Sequence, residues 1–373
     1  MRKLVVILVA LAIVMSLVIA CAQPAPSPAP SPKPTVTPTP TPAASPSPKP
    51  SPTASPAAKP AGWPERLRVG SSEAGHPTYI PAVAISDMIG KYVKLEARAA
   101  VYGSIGALGG ELNKKNIELG VSASTNVWEA FTGAGGKTPL REGLIFTTGE
   151  EIPLLVIARK GSGIKTIADI KGKRWSAKMP GSSTNEAARK AMEKVFGLTE
   201  KDFTLMTRTG PETLTAEFRE GKVDVANYFT SPSTPWITDL SASGAIYFVP
   251  FSDAEIAKLI EAEPQFVPAI MPAGSYPNQK EVLKSFGMLR VIVAHKNLPE
   301  DLVYAITAAI YDHFKEFEGY GAALAFFKLP EAIAVDKLQV PVHPGAVKYY
   351  KEKGFWTPQH QEKQEKLLKQ FGS

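Results

Sequence analysis

The chain has 373 residues, with 34 prolines, a single cysteine and a formal net charge of +7. Residues 1–60 hold five basic and no acidic residues, so the rest carries 37 basic against 35 acidic groups and gives no support to nucleic-acid binding. One cysteine excludes an intrachain disulfide, and the roughly 310 residues from about Trp63 onward are enough for two lobes held by core burial alone.

Arg2 and Lys3 precede an apolar run, Leu4 to Ala20, broken only by Ser16 and followed by Cys21. A positive start and a run at the lower limit of a membrane span predict an export signal. Val18-Ile19-Ala20-Cys21 has the form of a lipobox, in which Cys21 is acylated and becomes the mature N-terminus. An uncleaved anchor helix is the alternative, and both place the remainder outside the cytoplasm. Residues 22–62 form a Pro/Ser/Thr/Ala-rich tether, with 15 prolines between 22 and 60. It cannot bury apolar area and favours polyproline II, reaching roughly 120 Å at about 3.1 Å per residue. A sugar-decorated stalk or a wall-spanning spacer fits the same composition.

The globular part opens with a strand at Arg66 to Ser71, a Ser-Ser-Glu-Ala-Gly-His-Pro loop and a helix from about Tyr79 to Tyr92. A strand near Val93 to Ala99 leads to Gly103-Ser104 and a helix ending near Asn113. A third, Ile117 to Val121, opens into Ser122-Ala123-Ser124 and a helix bearing Val127, Trp128 and Phe131. Three strands thus end in small polar residues at a helix start, the βα repetition of an open α/β sheet whose carboxyl-end loops bind ligands.

Ile152 to Arg159 and Met288 to His295 are twin apolar strands about 135 residues apart. Between them a second βα series is expected: strands Lys173–Lys178, Phe203–Met206, Val223–Tyr228 and Ala245–Val249, with helices Thr184–Phe196 and Pro211–Glu220. A helix from Pro299 to Glu318 and an amphipathic helix after Thr357 close the chain. The expected architecture is α/β: two open sheets joined by hinge strands, with a ligand cleft between lobes as in periplasmic binding proteins of type II form. Lobe I would be 63–159 plus 288–373, and lobe II 160–287.

Pro180-Gly181-Ser182-Ser183-Thr184 joins a strand to a helix with an apolar stripe at Ala187, Ala188, Ala191, Met192 and Val195. Free backbone N–H groups, hydroxyls and a positive dipole end make an anion trap there, and ordinary N-capping is the plainer alternative.

Gly161-Ser162-Gly163-Ile164-Lys165 through Gly172-Lys173-Arg174, then Pro180 to Thr184, Pro272-Ala273-Gly274-Ser275-Tyr276-Pro277-Asn278-Gln279 and Val340-Pro341-Val342-His343-Pro344-Gly345-Ala346 resemble the TAXI family of solute receptors, the binding component of TRAP transporters. The resemblance covers about 66–356. It implies an organic acid or amino acid as solute, a TRAP-type membrane permease as partner, and a monomer without cofactor. Where the family usually reads T-G-G-S-x-x-N, this chain has Ala100 to Leu108, with Tyr102 in place of a small residue and no Asn. An ABC-transporter receptor of the same two-lobed form is the second reading.

The ligand contacts expected from these loops are Ser71, Ser72, His76, Tyr79, Gly103, Ser104, Ser122, Ser124, Gly181, Ser182, Ser183 and Thr184, with Tyr228, Phe229 and Thr230 at a strand end. His76 alternatively caps its loop, and the three strand-end residues alternatively pack the hinge. Glu73 would face solvent or a ligand amine, and Tyr276 is read as structural. Gly133 to Thr138 ends like a phosphate loop, but Phe131 stands where its first Gly belongs, so a surface loop is expected. Histidines 76, 295, 313, 343 and 360 form no metal-ligand spacing, so no metal site is expected. No GxSxG occurs and no acid, base and nucleophile set assembles, which disfavours an extracytoplasmic enzyme.

Overall fold

The computed structural model describes residues 59–371, except 75, 103, 104, 181, 208 and 209. The export signal, Cys21 and nearly all of the tether lie outside the described residues.

β1 (Arg66–Ser71), α1 (Tyr79–Met88, continued by a π-turn), β2 (Glu96–Val101), α2 (Leu108–Asn113), β3 (Leu119–Ala123) and α3 (Ser124–Thr132) follow the expected βα order. The third strand runs two residues further than its apolar run suggests. Ser122 and Ala123 are therefore strand residues, and Ser124 begins the helix directly.

β4 (Gly143–Arg159), with 17 residues, and β10 (Leu283–His295), with 13, are both longer than the apolar segments read as crossings. The remaining elements are β5 (Arg174–Lys178), α4 (Ser183–Phe196), β6 (Thr204–Thr207), α5 (Pro211–Arg219), β7 (Val225–Phe229), α6 (Pro235–Ala242), β8 (Ile246–Val249), α7 (Asp253–Ala262) and β9 (Val267–Met271), all before β10. The expected 299–318 helix is two, α8 (Glu300–Tyr311) and α9 (Phe314–Glu318), followed by α10 (Pro344–Glu352) and α11 (Pro358–Phe371).

The strands form one hydrogen-bonded path, β2-β1-β3-β10-β4-β7-β5-β6, with β8 on β4 and β9 on β10. β1 pairs in parallel with β2 and β3, and β5 in parallel with β6 and β7. The two long strands join these parallel halves and pair antiparallel with each other from Gly143↔His295 to Pro153↔Gly287. Residues 154–159 pair with β7 and β8, and residues 290–294 of β10 pair with β3.

Burial follows the same division. One core gathers Leu67, Val69, Val121, Phe146 and Val291 under α1, α8 and α10. Along the second half of β4 the period of two separates two further cores: Leu154, Val156 and Ala158 meet Trp175 and Met192, while Leu155 and Ile157 meet Phe218, Trp236 and Tyr276. A sheet covered by helices on both faces explains why 152–159 reads as an unbroken apolar run.

The strands approach most closely where they cross. A Cβ on Gly287 would lie 2.9 Å from Pro153 Cα and closer still to the Ile152 carbonyl oxygen. Gly287→Ala should therefore lower unfolding stability by about 1–3 kcal/mol in urea titration, with the strand pair and not a side-chain contact as the cause.

The Val340–Ala346 block also has a structural basis. His343, 1% exposed, is the N-cap of α10, and its Nδ1 accepts from the Gly345 N–H at 3.2 Å. Burial pushes its pKa from 6.5 down to about 4. The unfolded chain thus takes up this proton first, so stability is full above about pH 6.5 and falls as pH drops toward 4. The expected loss is about 3 kcal/mol. His343→Asn, which keeps a capping acceptor and removes the titration, should flatten that acid limb in urea unfolding measured across pH.

Candidate ligand-binding site

Between the core beneath β1–β3 and the cores beneath β5–β7 lies a cavity of about 840 Å³. Its floor is Ile152 of β4 with Met288 and Arg290 of β10. One wall carries His76, Gly106, Gly109, Asn126, Glu129 and Lys137; the other carries Met179, Ser182 to Asn185, Tyr228 to Ser231 and Thr234.

Arg290 is the centre of the floor and is only 4% exposed. Its Nε and Nη2 both donate to one oxygen of Glu150, at 3.3 and 3.1 Å, and Glu150 is itself 5% exposed. The strand register explains the pair. Leu289 faces Glu151 but Val291 faces Thr148, so one residue of β10 opposes two of β4, Gly149 and Glu150. A bulge of this kind re-aims side chains, and here it brings Arg290 and Glu150 together. Nη1 of Arg290 has no partner among the described residues and remains a donor for an anion in the cavity.

His76 sits on the β1–α1 loop, half-buried. Its Nδ1 accepts from the Thr78 N–H at 3.3 Å and from the Thr78 hydroxyl at 2.9 Å, and that hydroxyl accepts from the Ser72 N–H at 3.1 Å. The imidazole proton is therefore on Nε2. Burial first, and the Arg290 charge second, hold its pKa below the ordinary histidine value. The ring is a neutral donor.

The α4 start does both things expected of it. The Ser182 hydroxyl is the N-cap, accepting from the Asn185 N–H at 3.3 Å and the Asn185 side-chain amide at 2.8 Å. Ser183 donates across the cavity to Glu129 at 2.9 Å, and Thr184 meets the Thr125 hydroxyl at 3.3 Å. All three hydroxyls thus have protein partners. The donors open to a ligand are the first-turn N–H groups of Ser183 and Thr184, which have no partner among the described residues. Gly103, Ser104 and Gly181 lie outside the described residues.

Tyr228, Phe229 and Thr230 line the second wall while also packing it. Tyr228 meets Trp236 edge-on at 5.1 Å, Phe229 stacks on Phe266 at 5.8 Å, and Thr230 bonds Thr234 at 2.6 Å. Tyr276, 2% exposed, donates to the Ser231 carbonyl at 2.7 Å and so supports that wall from behind.

Several expected contacts do not reach the cavity. Ser71 and Ser72 are buried and shape the loop that carries His76. Tyr79 is half-buried on α1, away from the lining. Ser122 is fully buried because the strand continues through it, and it borders a small separate void with Leu108 and Val293. Ser124 accepts from the Leu289 N–H at 3.1 Å and ties α3 to the floor strand. Tyr102 turns away to donate to the Asn116 carbonyl at 2.8 Å, and Glu73 is exposed.

Sequence reasoning missed Asn126, Glu129, Lys137 and Arg290. The Asn126 amide has no protein partner among the described residues. An Arg within the apolar run Met288 to His295 was the available signal for the floor.

A model of the NMT1-like family matches residues 70–354, a span that contains every cavity residue named above. The chain belongs to the NMT1-like family. Solved structures of similar outline include PhnD1 from Prochlorococcus marinus in complex with methylphosphonate, at 9% identity and a TM-score of 0.48 over 78% of this chain and 99% of that one. A TctC solute binding protein from Polaromonas, without ligand, is 14% identical with a TM-score of 0.49 over 70% and 86%. The sulfonate ABC transporter protein SsuA from Methylobacillus flagellatus is 14% identical with a TM-score of 0.45 over 82% and 94%.

The capping role of Ser182 and the cavity position of Asn126 predict different effects on stability. Ser182→Ala should lower stability by about 1 kcal/mol through the lost cap, whereas Asn126→Ala should stay within about 0.5 kcal/mol in the same urea titration.

Proposed function

We propose that the protein is an extracytoplasmic solute receptor that captures a small organic anion, an organic acid or amino acid, between two lobes and delivers it to a membrane permease. The observation that carries this is the convergence on one cavity of Arg290 Nη1, neutral His76, the Asn126 amide and the first turn of α4. A volume of about 840 Å³ suits a small molecule. The lobes divide within the long strands, near Ile152 and Met288, so that 153–159 belongs with the second lobe and not the first. Cys21 and the 22–62 tether supply the membrane anchor on this reading.

An ABC importer is taken as the partner. A TRAP permease is the second reading, favoured by the Pro272–Gln279 and Val340–Ala346 blocks. A neighbouring ATPase and permease gene pair supports the first, and a fused TRAP permease gene the second.

The binding test is calorimetry with a panel of carboxylates, sulfonates, phosphonates and amino acids, beginning with whatever mass spectrometry finds co-purified. Arg290→Lys keeps the charge beside Glu150 but loses the fork, and should weaken anion binding by about ten- to a hundredfold. Wild-type affinity in that variant would contradict the assignment of Arg290.

A further inference from the structure

The described lining holds two cations, and each is already paired. Arg290 is tied to Glu150, and Lys137 Nζ to Glu129 Oε1. With His76 a neutral donor, the two pairs Arg290–Glu150 and Lys137–Glu129 together carry no net charge. Glu129 lines the cavity and reaches the start of α4. Its other oxygen accepts from Ser183 at 2.9 Å, on the same first turn of α4 whose N–H groups open to the cavity. Its side chain is 15% exposed, so water screens it weakly.

We infer that Glu129 is a charge filter: it makes this cleft selective for singly charged anions and rejects doubly charged ones. The inference rests on the solute-receptor reading above. One negative charge is met by Arg290 Nη1 and the helix N–H groups. A second finds no unpaired cation among the described lining residues and faces the Glu129 carboxylate instead. Repulsion from a partly buried like charge grows with each charge on the ligand, and specificity arises from such a repulsive element as much as from the attractive ones. Glu129 and Ser183 come from opposite walls, as do Thr125 and Thr184, so the carboxylate takes this position when the walls are together.

The test is calorimetry on the full-length chain in mildly alkaline buffer, with alkanesulfonates as singly charged probes and alkylphosphonates of matched chain length as doubly charged ones. Wild type should prefer the sulfonate by about tenfold or more. Glu129→Gln, which retains an acceptor for Ser183, should raise phosphonate affinity by about tenfold and narrow the preference. Lys137→Gln leaves Glu129 unpaired and should weaken both probes, the phosphonate more. Equal binding of both probes by wild type, or an unchanged preference in Glu129→Gln, would overturn the filter. Failure of every probe to bind wild type would instead tell against the small-anion receptor reading itself.

Discussion

The antiparallel pairing of β4 with β10 is the constraint on which the rest of this structure depends. Residues 154–159 of β4 pair with β7 and β8 and residues 290–294 of β10 pair with β3, while the two strands pair with each other between, so the pair is at once sheet centre, crossing and cavity floor. Gly287 lets the strands approach at the crossing, and the irregular register beside it places Arg290 opposite Gly149 and Glu150. Covalent continuity and backbone hydrogen bonds thus fix the floor, while the two walls rest on separate cores. A change in the angle between the walls moves His76, Asn126 and Glu129 relative to α4 and leaves the floor almost unaltered.

Charge in the cleft is costly and is used sparingly. Taking Arg290 and Glu150 out of water is expensive, and two hydrogen bonds to a single carboxylate oxygen offset that cost only in part. An apolar pair of similar volume would serve stability as well or better. The retained guanidinium with an open Nη1 fits the proposed reading of Arg290 as a recognition group held in place before a ligand arrives. Lys137 and Glu129 repeat the arrangement at the cavity's edge, more exposed on the lysine side. On the proposed reading, the cleft would hold an anion through local donors and not through a broad positive field.

Much of the fold is legible in the sequence because apolar period and small-residue loops mark the βα units directly. β1 is read from Arg66 to Ser71 as it stands, and α4 begins within one residue of its expected start. The long strands are half legible. Their double-sided burial gives the runs 152–159 and 288–295, whereas Gly143 to Glu151 carries Thr147, Thr148, Glu150 and Glu151 and reads as irregular. The site is less legible than the fold. Ser122 and Ser124 look like cavity residues but face inward, since strand length by one or two residues decides which way a side chain points. Arg290 is hidden because its importance comes from a register slip between two distant segments. Glu129 and Lys137 are hidden because helix α3 and its following loop read as an ordinary amphipathic helix and a surface turn.

On the proposed function, two lobes close over a solute about the β4–β10 pair. Small-angle scattering with and without a saturating solute, identified from co-purified material, tests it most directly. A smaller radius of gyration and a profile change matching rigid rotation of the lobes is the result expected. A profile that is identical at saturation, with binding verified in the same sample, would contradict it.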